Sequence, residues 1–140
     1  MIISKEFATK HTAETPTNAD LEAIRRYALR DVSAEEIFSG KMILANTLVD
    51  RSHERFPQAY LERFAETLPG KPVLTGHDQK SVPVGRFYDA DVVPRPDGEH
   101  DLIARYYLAA DNPLTKSIEL GIASGVSIGA RADKRTCQLC

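Results

Sequence analysis

The sequence predicts an α+β protein in which an antiparallel sheet is flanked by helices, and three observations carry that prediction. Apolar residues recur at helical spacing through much of the first seventy residues. From Lys71 the chain turns to β-branched, partly alternating runs, two of which bracket the turn-forming stretch "PRPDGEH" as a hairpin would. A capped helical stretch then interrupts the strands before "GVSIGARA" resumes a period of two.

Taken in order, "NADLEAIRRYALR" places Leu21, Ile24 and Ala28 on one helical face, with Asn18 as N-cap and Asp20 and Glu22 in a first turn that favours negative charge. "SAEE" has the Ser33/Glu36 spacing of a capping box, so a second helix is expected there, with an apolar stripe through Ile37, Phe38, Ile43 and Leu44 and with Gly40 as its weak point. "FPQAYLERFAETLPG" gives the third helix: Pro57 in the first turn, Tyr60, Leu61, Phe64, Ala65 and Leu68 as core positions, and a Pro-Gly stop. "KPVLTGH" reads as a short apolar strand ending at glycine, and "SVPVGRFYDADVV" and "DLIARYYLAA" as the hairpin strands. In "DNPLTKSIELGIASG", Asn112 is a cap, Pro113 the first helical residue and glycine the exit. One domain over 1–140 is expected, with a mostly helical part over 1–70, a β-rich core over 71–136 and a cysteine tail over 137–140.

Composition narrows the function. The chain has 140 residues, 42% hydrophobic and 27% charged, with a net charge of −2, which describes an ordinary globular protein and predicts no nucleic-acid partner. The longest apolar run, "MILA", is far below the roughly 20 residues of a membrane span, and Lys5 and Glu6 interrupt any secretory core, so no membrane partner and a cytoplasmic location are expected.

Ser127 is the residue with the clearest chemical promise. Alternation puts Val126, Ile128 and Ala130 on a core face, and Gly125, Ser127, Gly129 and Arg131 on the other. A glycine two residues away on each side leaves a bare strand that another backbone could approach, which suits a nucleophile and equally suits one polar residue on a solvent face beside a bulge. Ser124 is the rival, read as part of the helix-to-strand turn. A serine needs a base within reach, most often histidine. His11, His53 and His100 read as solvated loop residues, whereas His77 follows "PVLTG", where a core strand would hold its backbone.

"KPVLTGHDQKSVPVGRF", then "DLIARYYL", then "SGVSIGA" fifty residues beyond the histidine resemble the tailed-phage prohead maturation proteases, whose fold is similar to that of the herpesvirus capsid-assembly proteases. The resemblance runs from Gly70 to Ala132 and, more loosely, over "DRSHERFPQAYLERFAETLPGK". It implies an antiparallel sheet or partly open β-barrel with flanking helices, with Ser127 matching the family's nucleophile and His77 its general base. The implied activity is a serine endopeptidase that cleaves capsid or scaffold proteins in host cytoplasm, inside the assembling prohead, with a homodimer as the implied assembly. The competing class is a non-enzymatic capsid-assembly or scaffold-associated protein that keeps the fold.

A third group should orient the imidazole, and the family would supply it from a strand after the serine. Thirteen residues follow Ser127, with Asp133 their one carboxylate, about 20 Å along an extended strand and too far to reach the same ring. Asp78 adjoins His77, but adjacent side chains seldom orient one another, and Asp101 and Glu119 stay unranked; a chain that is part of a longer protease is the favoured expectation, ahead of a natural dyad or an inactive relative that keeps the fold. "CQLC" has the spacing of half a zinc site and of a thiol-disulfide motif, so Cys137 and Cys140 are either two free thiols or half of a structural zinc knuckle that needs further ligands. No other cofactor is expected.

Overall fold

The alternation in "DLIARYYL" builds the centre of the protein. The computed structural model describes the backbone of residues 2–7, 11–76 and 78–131, and the side chains of 11–76 and 78–125. Its elements are β1 (Ile2–Phe7), β2 (Thr12–Glu14), α1 (Asn18–Arg25), a 3₁₀ turn (Ala34–Glu36), β3 (Ile37–Asn46), α2 (Gln58–Thr67), β4 (Pro72–Val73), β5 (Gly85–Pro94), β6 (His100–Ala109), α3 (Pro113–Glu119) and β7 (Val126–Arg131). Five strands in the order β2-β3-β6-β5-β4 form a curled antiparallel half-barrel, and β1 and β7 form a separate antiparallel pair. With its three helices the fold is α+β.

On β6 the residues Leu102, Ala104, Tyr106 and Leu108 are buried on one face, while Ile103, Arg105 and Tyr107 alternate to the other. Phe38, Met42, Leu44 and Phe87 join that face from β3 and β5, and α2 closes it with Leu61, fully buried, and with Phe64, Ala65 and Leu68 at its margin. Phe56 meets Phe64 edge-on at 5.4 Å between ring centres, which fixes the approach to α2. Tyr60, expected in the core, is 43% exposed and lies on the solvent side of α2.

The second expected helix is the main correction. The capping box at Ser33 and Glu36 forms, but it opens only a 3₁₀ turn, after which residues 37–46 are the strand β3. Glu36 is held by the Arg30 guanidinium at 2.8 and 3.1 Å and by the Ser33 N–H at 2.9 Å, and these bonds lower its carboxyl to a pKa of about 2. Gly40 is a close-packing position rather than a weak helical one: a Cβ there would sit 2.6 Å from the Tyr106 hydroxyl oxygen. The 1–70 part is therefore not mostly helical, since β1, β2 and β3 all lie in it.

Smaller differences follow the same logic. Thr17, not Asn18, caps α1, accepting from the Asp20 N–H at 3.2 Å while Asp20 accepts from the Thr17 N–H at 2.8 Å. Thr17→Ala should lower stability by about 1 kcal/mol and Thr17→Ser by much less, measured as urea midpoints. The helix stops at Arg25 rather than running on through Leu29, and Tyr27 beyond it lies under the Arg86 guanidinium. The hairpin β5–β6 forms as expected, closed by Gly98 at φ 84°, a conformation that favours glycine, and by the Asp97 carboxylate accepting from the Glu99 N–H. The "KPVLTGH" strand is shorter than expected, because β4 covers only Pro72 and Val73.

Candidate functional site

α3 delivers the chain to the predicted serine strand. Asn112 caps it by accepting from the Leu114 N–H, and Pro113 opens it, as the sequence indicates. Gly121, at φ 72°, ends the helical path, and the N–H groups of Ile122 and Ala123 both donate to the Ser117 carbonyl, at 2.8 and 3.0 Å. Ser124 is exposed in this turn, where the sequence placed it, and Gly125 follows with no atom of the described residues within 4 Å of where a Cβ would stand.

Ser127 lies on β7, with its Cα opposite Glu6 of β1; Gly129 lies opposite Ser4. Among the described residues β7 has one ladder partner, β1. The expected core face of Val126, Ile128 and Ala130 concerns side chains outside the described residues. His77, Asp133, Cys137 and Cys140 also lie outside them. The two backbone segments that would carry the dyad differ in kind: Ser127 is inside a strand, whereas Leu74 to Gly76, before His77, is loop rather than the core strand expected.

The three candidate carboxylates now separate. Asp78 accepts from the Ser81 hydroxyl and the Lys80 N–H within its own turn, bonds that hold its carboxyl below the usual range. Asp101 is nearly buried and paired with Arg95 at 3.0 Å, across the hairpin mouth. Both are committed to local structure. Glu119, at the end of α3, is exposed.

The remaining histidines divide in the same way. His53 is an exposed loop residue at φ 58°, in a turn whose N–H groups at Ser52 and Glu54 converge on the Asp50 carboxylate. His100, half-buried, opens β6 opposite Pro94, and so belongs to the sheet rather than to a loop. His11 is the larger correction: its Nδ1 is 2.8 Å from the Tyr106 hydroxyl, with the rings edge-on at 5.7 Å. Nothing in local pattern marks it, because its partner is 95 residues away.

Burial holds His11 below its ordinary pKa, since the cation is penalised. Near pH 8 both folded and unfolded rings are neutral and the contact costs nothing. As pH falls through about 6.5 the unfolded chain takes up a proton that the folded chain resists, so stability should decline until the folded ring also protonates. His11→Asn should flatten that part of the curve, read from urea midpoints at pH 8, 6 and 5 against wild type.

Among the described residues no group of three or more histidine, cysteine or acidic side chains is arranged to hold a metal, and no helix is long and apolar enough to cross a membrane. Comparison with known proteins finds no matching family model, no matching curated protein and no matching solved structure.

Proposed function

We propose that this protein is a serine endopeptidase of the prohead-maturation type, acting on capsid or scaffold polypeptides during phage assembly, with Ser127 as nucleophile and His77 as general base. The observation that carries the reading is the setting of Ser127: a strand residue in "SGVSIGA", entered past Gly125, in a chain whose "TGHDQKSVPVG" segment and hairpin resemble the family's order. His77 takes the Ser127 proton as the oxygen attacks a peptide carbonyl, and the carbonyl π electrons move to oxygen. Collapse expels the amine, which takes the proton from the imidazolium, and leaves an ester on Ser127. Water, deprotonated by the same histidine, then cleaves the ester and restores the serine.

The test is labelling by a serine-reactive fluorophosphonate, in wild type, Ser127→Ala, His77→Ala and Ser124→Ala. Labelling lost in the first two variants and kept in the third is the expected result. Labelling that survives Ser127→Ala, or a folded wild type that does not label, would sink the assignment and favour a non-enzymatic assembly protein.

A further inference from the structure

The short edge strand β2 leaves part of its neighbour uncovered. β2 spans three residues and pairs with Ser39, Gly40 and Lys41, whereas β3 begins at Ile37, so on the β2 side Ile37 and Phe38 have no strand partner among the described residues. A groove of about 320 Å³ lies there. Ile37 and Phe38 line it from β3, with the Phe38 side chain itself in the core, Pro16 lines it where the chain leaves β2, and Glu35 and Glu119 line it from the 3₁₀ turn and from the last turn of α3.

The charges are unbalanced. Glu14, which also lines the groove, is neutralised by Lys41 at 3.1 Å and Arg105 at 3.0 Å. Glu35 and Glu119 have no cationic or hydrogen-bonding partner among the described residues. Glu119 also stands at the negative end of its helix, where a carboxylate is disfavoured unless a cation approaches. Two exposed carboxylates on either side of an unpaired strand edge are complementary to an extended polypeptide that carries spaced cationic side chains.

We propose that this groove binds a short, extended, basic segment of a partner polypeptide, which adds its backbone beside Ile37 and Phe38 and places lysine or arginine against Glu35 and Glu119. An open strand edge supplies main-chain pairing, and the half-buried Ile37 and Pro16 supply contact for apolar side chains that alternate with the basic ones. The proposal does not rest on Ser127 as a nucleophile or on any peptidase activity.

The probe is a fluorescein-labelled hexapeptide of alternating lysine and valine, titrated by anisotropy against the Ser127→Ala protein so that cleavage cannot enter. Saturable binding is expected, weakened roughly two- to fivefold by Glu35→Gln or Glu119→Gln and by about tenfold in the double variant, since each is an exposed ion pair. The glutamate-valine counterpart, and the lysine-valine peptide N-methylated at alternate amides, should not bind. Both substituted residues are exposed, and circular dichroism checks that the variants fold. Absent binding, equal affinity in the double variant, or equal affinity for the N-methylated peptide would each overturn the proposal. So would a dimer in sedimentation velocity that the double substitution dissociates, because the occupant would then be a second copy of this chain.

Discussion

With Ser127 as the nucleophile we propose, Ser127→Ala is expected to reduce cleavage of the proposed capsid or scaffold substrate by about 10⁴-fold or more, while the protein stays folded. The size follows from chemistry: with the hydroxyl gone no acyl-enzyme can form, and what is left is whatever binding and carbonyl polarisation contribute to direct attack by water. His77→Ala should cost less, roughly 10²–10⁴-fold, because a serine without its base is weakened rather than removed. The two substitutions should be far from additive, since each disables the same proton-coupled attack. A double variant no slower than Ser127→Ala is the sign of a shared step. If the two effects multiply, the residues act separately and the dyad assignment fails. Ser124→Ala separates the chemistry from the turn: it sits in the exposed linker ahead of β7 and should leave turnover within a few-fold of wild type.

Leu102→Ala is expected to have the largest effect on stability, about 2–5 kcal/mol. Leu102 is completely buried in the first part of β6, opposite Ala45 on one side and Val92 on the other, so the hole left by its side chain has strands on both flanks that cannot close over it. That loss is a large share of the 5–15 kcal/mol typical of a folded domain and should lower the melting temperature by about 10 °C. Leu29 provides the control, because it is fully exposed beyond the end of α1 and Leu29→Ala should change stability by less than about 0.5 kcal/mol. Calorimetry or urea unfolding of the two variants decides the matter. Equal losses would mean that β6 is not the centre of the core.

The contrast between those leucines shows which parts of the molecule local pattern reveals. The hairpin strands, α2 and α3 were legible because each carries its own instructions: alternation in "DLIARYYL", apolar spacing in "YLERFAETL", an Asn-Pro cap before "LTKSIE". Strand β3 was not. "IFSGKMILAN" follows a true capping box and spaces its large apolar residues at intervals compatible with a helix, and only its place between β2 and β6 makes it a strand. The reason is physical, since Gly40 would weaken a helix but lets the Tyr106 ring lie across the sheet. For the candidate site, the position of Ser127 in a strand, the turn at Ser124 and the α3 boundary were readable from glycines, a proline and period two.

The sequence by itself determined the α+β class, the hairpin, the presence of α1, α2 and α3 and the serine strand, because these rest on interactions within a few residues or on the pleat itself. Tertiary structure alone decided that residues 37–46 join the sheet, that His11 meets Tyr106, that Asp101 is committed to Arg95, and that Glu35 and Glu119 flank one groove. Most of those outcomes join residues far apart in the chain, and the Arg95–Asp101 pair depends on how the hairpin mouth closes. Their energies come from burial and charge pairing that exist only once β3, β5 and β6 have assembled.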